Sequence, residues 1–423
     1  MLNRRYFLAA TGAGLLGTSL VQASDAKATG VKKLAVVTTL WNYRSHAWHM
    51  AERFLHGYPL RGRWHKPAIE VVSAYVDQSP AGDLSRQREK EFGFKIYPSI
   101  AEALRCGGDK LAVDAVLIIG EHGEYPVNEF GQKQYPRYQF FKQVADVFRK
   151  DGRTAPVFND KHLSWKFEWA KEMVEISKEM KFPFLAGSSL PVTWRMPAIE
   201  MPLGSEVEEM MCVAFGPVDI YDFHALETLQ CMAERRKGGE TGVAAVQALR
   251  GDAVWAALNA GTWQAGGWNP RLFEACLSRS HTLNQPESFS HRYPTEEQIK
   301  QWVKEPVAYR IEYVDGTRST MLLMNGLVQD FTFAAKLKGQ AEPLSTQFHL
   351  PPNPNVVYSA ALMNAAETMF MTSVAPYPVE RTMLTSGLVE AGLKSLAGGQ
   401  KRTETPHLAV RYAPSKDSTF FRD

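Results

Sequence analysis

Lys32-Lys33-Leu34-Ala35-Val36-Val37-Thr38-Thr39 runs directly into Leu40-Trp41-Asn42-Tyr43-Arg44-Ser45-His46, and the reading of this junction decides the fold. The first segment is short, apolar and rich in valine, with charges only at its start, which predicts a central parallel strand buried on both faces. The second segment carries no glycine. From His46 to Tyr58, the residues Ala47, Met50, Ala51, Phe54 and Leu55 recur at helical spacing, and the stretch from Ile69 to Asp77 reads as a second strand ending in an acid. The chain therefore opens as strand, helix, strand.

The alternation continues outward from there. Helices are expected over 84–92, from a Ser99 cap to 104, over 138–149 and over 164–178, with strands at 96–97, 113–120 and 156–158. This predicts a doubly wound parallel sheet over 31–188, with ligands at the carboxyl ends of its strands. Past Ser188 the character changes. Prolines punctuate 190–202, a strand is expected at 207–216 and a helix at 222–236, and two apolar runs flank Asp315-Gly316 as a hairpin. A second domain over 189–423, built on a mainly antiparallel sheet, is the expected outcome.

Of the 423 residues, 45% are hydrophobic and 22% charged, a globular balance, and the length predicts two domains. With a net charge of +3 and no basic run interleaved with aromatics, nucleic acid is not an expected partner. Arg4-Arg5 before the modest apolar run from Phe7 to Val21 resembles a Tat export signal, with small-residue cleavage sites at 21–23 or 24–26. That predicts loss of 1–26, export of a folded protein to the periplasm or the exterior, and no membrane span afterwards. Cys106, Cys212, Cys231 and Cys276 lie far apart with no C-x-x-C, so neither a zinc knuckle nor a redox dithiol is indicated. Buried thiols and a disulfide formed after export both stay open.

Three further stretches carry a family resemblance: Asp77 with the segment Phe92 to Leu104 that contains Tyr97-Pro98-Ser99, then Asn159-Asp160-Lys161-His162-Leu163, then Asp222-Phe223-His224-Ala225-Leu226-Glu227. In order and layout the chain resembles the Gfo/Idh/MocA oxidoreductase family. The resemblance implies an α/β plus α+β protein, an N-terminal Rossmann-like sheet followed by a C-terminal mainly antiparallel open-sheet domain. It also implies NAD or NADP as cofactor, a sugar, glycoside or polyol as small-molecule partner, hydride transfer between the two, and a homo-oligomer paired through its open sheets. Lys161 stands where the family has the lysine of Glu-Lys-Pro, His224 and Glu227 stand at its histidine helix start, and Asp77 is similar to its ribose acid. The departures are plain. The G-x-G-x-x-G is absent, Asp160 and His162 flank the lysine, and Asp222 replaces a glycine. A Cβ at the second glycine position would sit where pyrophosphate approaches the backbone. Either the cofactor is gone, or Thr39, Asn42, Arg44 and Ser45 hold its phosphates from a helix N-terminus.

The catalytic candidates are Lys161, His224, Glu121 and Asp222, and the cofactor candidates are Thr39, Asn42, Arg44, Ser45, Asp77 and Glu121. A dehydrogenase needs a base for the hydroxyl proton and a cation for the forming alkoxide, roles that suit His224 and Lys161. A cofactor-free eliminase, epimerase or hydrolase would use His224, Lys161 and Glu121 as acid/base groups on a sugar; a binding protein without catalysis is the third reading. Plainer roles stand beside these: a solvated lysine, a satisfied core histidine, a turn acid at Asp77, a structural loop pair at Glu121-His122. His46 and His49, three apart, share a helix face, but no cysteine or carboxylate completes a ligand set, and no metal is expected. The aromatics from Trp255 to Trp268 fit either a wall for a sugar ring or core. The stretches 234–242 and 376–382 read as a helix cap with its turn and as a stiff connection.

Overall fold

In the computed structural model the described residues are 31–286, 292–351 and 356–422; the twin-arginine segment expected at 1–26 lies outside them. The first sheet is formed by β1 (Lys32–Thr38), β4 (Ile69–Val76), β5 (Lys95–Ile96), β6 (Ala115–Ile119), β7 (Val157–Asp160) and β8 (Phe184–Gly187). A small hairpin, β2 (Tyr58–Leu60) with β3 (Arg63–His65), lies between the first two in sequence. The sheet order is β5-β4-β1-β6-β7-β8 and every pairing is parallel. Ala35, Val37, Val116 and Ile118 enter one core while Leu34, Val36, Leu117 and Ile119 enter another, so the continuous apolar runs follow from burial on both faces. After β1 the chain takes a π-helical turn at Ala47–Ala51 and an α-helix at Glu52–His56. Gly57 ends it at φ +82, where a Cβ would lie 2.3 Å from the His65 carbonyl oxygen.

The second sheet comprises β9 (Trp194–Met196), β10 (Val207–Ala214), β11 (Val243–Arg250), β12 (Val307–Tyr313), β13 (Arg318–Leu323), β14 (Phe331–Leu337), β15 (Leu344–His349) and β16 (Thr403–Glu404). Its order is β16-β11-β12-β13-β10-β14-β15-β9, antiparallel except for the β10–β13 pair. The period of two along β10 sorts its side chains: Met210, Cys212 and Ala214 share a core with helices Tyr221–Ala233 and Glu380–Ala397, and Met211 and Val213 face helices Asp252–Ala260 and Pro270–Arg279. Trp268 is buried in that outer core, and the stretch 255–268 does not reach the cavity described below.

The chain returns to the first sheet late: helix Tyr358–Thr372 packs in the core that holds Leu34 and Leu117. Helix Glu380–Ala397 begins inside the stretch expected to be a connection, because Arg381 is buried against Glu234, with N···O distances of 2.6 and 2.8 Å. All four cysteines are free thiols. Among the described residues no helix is long and apolar enough to cross a membrane.

Candidate active site

β7 ends at Asp160, and the next residue, Lys161, turns left-handed at φ +65 while its N–H donates to the Gly187 carbonyl at the end of β8 (3.1 Å). Side chains of these two neighbours go to different partners. The Lys161 ammonium contacts Nε2 of His224, carried on the first turn of helix Tyr221–Ala233, and the Asp160 carboxylate meets His46 Nδ1 at 2.5 Å. A cavity of about 190 Å³ opens around them, with His49, Glu121, His122, Ser188, Tyr221, Phe331 and Tyr358 also in its wall. Four lining side chains hold a buried polar atom with no partner: His49 Nδ1, Asp160 Oδ1, Ser188 Oγ and His224 Nδ1. Buried polar atoms are nearly always hydrogen-bonded, so their convergence on one cavity marks a place for a polar ligand.

Burial, followed by the Lys161 charge, holds the His224 and His46 imidazoles well below their usual value, so both are neutral near pH 7. His49 is held down by burial and then by His46, and His122 by burial. Lys161 is lowered by burial, against the pull of Glu121 and Asp160. For Glu121 burial pushes up, but Arg137, Lys161 and His46 together outweigh it and keep the carboxyl low. Burial raises Asp160. A buried lysine whose basicity is lowered by burial thus touches a neutral imidazole, an arrangement able to pass a proton to or from a ligand in the cavity.

The structure brings Lys161, His224 and Glu121 together in the cavity wall, Glu121 held there by an ion pair with the buried Arg137. Asp222 lies outside it: the start of the helix turns its carboxylate to the Tyr309 hydroxyl at 3.0 Å and to the Phe223 N–H at 2.8 Å. Glu227 bonds away from His224: it accepts from the Ser188 N–H (2.7 Å) and the Thr382 hydroxyl (3.1 Å). Among the described residues no set of three or more His, Cys, Asp or Glu is arranged to hold a metal.

Above β1, where a dinucleotide would lie, the loops hydrogen-bond to one another. Leu84 N–H donates to Trp41 O (2.8 Å), Asn42 pairs with Asp83, and the Asn42 amide donates to Ala81 O (3.2 Å). Gln78 and the Glu124 backbone exchange two bonds of 3.0 Å, and Asp77 accepts from the Tyr75 and Tyr125 hydroxyls at 2.7 Å each. The Thr39 hydroxyl donates to Glu121 O, and the Ser45 hydroxyl accepts from Asn42 N–H, so both serve the loop itself. Trp41 is buried and stacked on Phe94. Arg44 stands exposed at φ +62. In this arrangement the exposed acid after β4 is bonded by two tyrosines and the loop after β1 is tied to its neighbours, so NAD or NADP would have to displace these bonds to be held here. Sequence reasoning missed Tyr125 and the His46–Asp160 contact, since both join residues far apart in the chain.

No family model and no curated protein sequence matches the chain. Solved structures match it in fold. Myo-inositol dehydrogenase from Lactobacillus casei, in complex with NAD(H) and myo-inositol, superposes with a TM-score of 0.53 at 11% identity, covering 89% of this chain and 97% of that one. GenD2 from gentamicin A biosynthesis, in complex with NAD, gives 0.54 at 12% identity over 93% and 99%. A myo-inositol dehydrogenase from Corynebacterium glutamicum gives 0.53 at 11% over 88% and 98%. The architecture is that of the Gfo/Idh/MocA oxidoreductases, and at these identities the likeness is one of fold.

Proposed function

We propose that this protein is an enzyme acting on a sugar, glycoside or polyol, and that its chemistry is proton transfer by the Lys161–His224 pair without a dinucleotide. The observation that carries the reading is the contact of a buried lysine with a buried neutral imidazole in a cavity whose unpaired polar atoms suit a polyhydroxylated ligand. At about 190 Å³ the cavity falls below the roughly 300–1,000 Å³ of sites for larger ligands and suits a single sugar ring. Elimination, epimerisation and hydrolysis all fit such a pair, with Glu121 as the neighbouring acid. The second reading is an NAD(P)-type oxidoreductase; the fold shared with NAD(H)-bound dehydrogenases favours it, and it requires the loops at Asp77 and Trp41 to part. In either reading the twin-arginine start proposes export of the folded chain.

The test has two parts. Purified protein is denatured and the supernatant examined by absorbance and mass spectrometry for NAD or NADP, and 4-nitrophenyl glycosides are assayed without added cofactor. The expected outcome is no nucleotide, with turnover that falls about 10²–10⁴-fold in His224→Ala. Released NAD(P) would instead support the redox reading, and turnover unchanged in His224→Ala would remove the pair from the mechanism.

A further inference from the structure

We propose that Asp160 and His46 form a second proton-transfer pair in the cavity, with His46 Nε2 the catalytic atom and Asp160 the positioning residue. This rests on the acid/base reading above and deepens it, because the site would then handle two protons of one substrate. Asp160 and Lys161 are adjacent at the end of β7, yet one goes to His46 and the other to His224, so a single bend supplies two separate pairs. The carboxylate at 2.5 Å from Nδ1 selects the tautomer: neutral His46 donates Nδ1–H to Asp160 and keeps its lone pair on Nε2. Among the described residues the imidazole makes its one hydrogen bond through Nδ1, while the ring lines the cavity and is held edge-on by His49 and His122 at 4.7 and 5.0 Å.

A buried carboxylate kept only for architecture has both oxygens satisfied, as Glu227 does. Asp160 is fully buried with Oδ1 unpaired, an arrangement that stability alone disfavours.

Two such pairs suit a sugar whose C–H is acidified by a neighbouring carbonyl. His46 Nε2 takes the carbon-bound proton, and the C–H electron pair forms a carbon–carbon double bond as charge moves to the carbonyl oxygen. When the enolate collapses, its electrons expel a β-oxygen substituent, which leaves with a proton from the Lys161–His224 pair. One proton enters His46 and one leaves the other pair, so no oxidant or reductant is needed. Returning a proton to the same carbon from the opposite pair gives epimerisation.

The test begins with ¹⁵N-histidine NMR on the full mature chain, which needs no substrate. The expected spectrum shows His46 protonated at Nδ1 and bare at Nε2 near pH 7, a signature lost in Asp160→Asn; a ring protonated at Nε2 overturns the pair. The second arm follows deuterium uptake by 2-keto-myo-inositol in D₂O by mass spectrometry. Uptake should fall at least about 10²-fold in His46→Gln, and Asp160→Asn should lower kcat while leaving KM within about twofold. Wild-type uptake matched by His46→Gln but lost in His224→Ala overturns the second pair and leaves the function standing. A wild-type protein inert on this probe and on the glycosides sinks the functional reading and, whatever the tautomer, the proton-transfer role of the pair with it.

Discussion

The crevice above β1 and the cavity beyond β7 lie at the carboxyl ends of strands of one parallel sheet, yet they treat their polar groups oppositely. In the crevice Asp77, Gln78, Thr39 and Ser45 are bonded to protein, with Asn42 Oδ1 the exception. In the cavity four polar atoms are buried and unpaired. An unmade buried hydrogen bond costs about 1–3 kcal/mol, so the second region carries a stability penalty that the first has removed. The difference is that unpaired polar groups gather in the cavity wall, where a polar ligand would satisfy them, while the crevice keeps most of its own bonded. Substitutions should therefore dissociate activity from stability in opposite senses in the two regions.

The largest effect should come from Lys161→Met. The substitution takes a buried cation from the cavity wall and keeps much of its shape. Turnover should fall by about 10²–10⁴-fold, while the melting temperature stays equal to or rises above that of the wild type, as expected where function works against stability. A large fall in melting temperature would mean that Lys161 is structural and would break the comparison from the cavity side.

Next in size is a pH effect beneath the cavity. Burial raises the Glu227 carboxyl from 4.5 to about 7. The folded protein then holds this proton more tightly than the unfolded chain, so unfolding releases it between those two values. Stability contributed by this group is complete below about pH 4.5, falls as pH rises toward about 7, and is flat above, a change of about 3 kcal/mol. Glu227→Gln, which keeps an acceptor for Ser188 or Thr382, should flatten that slope; urea midpoints at pH 5 and pH 7.5 measure it. An unchanged slope would assign the titration to another group, such as Asp222, raised by burial to about 6.

The parallel sheet was legible because fully buried strands such as β1 and β6 leave unbroken apolar runs, and because a capping serine at Ser99 announces its helix, accepting from the Glu102 N–H. Strands β11, β14 and β15 and helix Tyr358–Thr372 were not, since their alternation or periodicity is blurred by burial on more than one side. At the site, Lys161 and His224 were legible by position, and the missing glycines marked the loop after β1 as one that grips no phosphate in the usual way. Asp222 reads as catalytic in sequence and turns to Tyr309 in space, because a helix's first turn fixes direction that spacing alone does not carry. The His46–Asp160 contact spans 114 residues and leaves no local pattern.

The smallest effect, and the most direct probe of the crevice, should come from Tyr125→Phe. It removes one of the two hydroxyls that hold Asp77 and leaves the ring. Loss of that bond should lower stability by about 1 kcal/mol, with turnover unchanged, the reverse of the pattern expected for Lys161→Met. Added NAD supplies the sharper arm. A ligand at 100 times its dissociation constant stabilises by about 2.7 kcal/mol, so binding would show as a clear rise in melting temperature. No rise is expected in the wild type, because a dinucleotide would have to break the Gln78–Glu124 and Leu84–Trp41 bonds before making its own. A rise in Tyr125→Phe alone would show that the loops are a removable plug over a working cofactor site. A rise in the wild type would erase the contrast between the two regions and return the chemistry to hydride transfer.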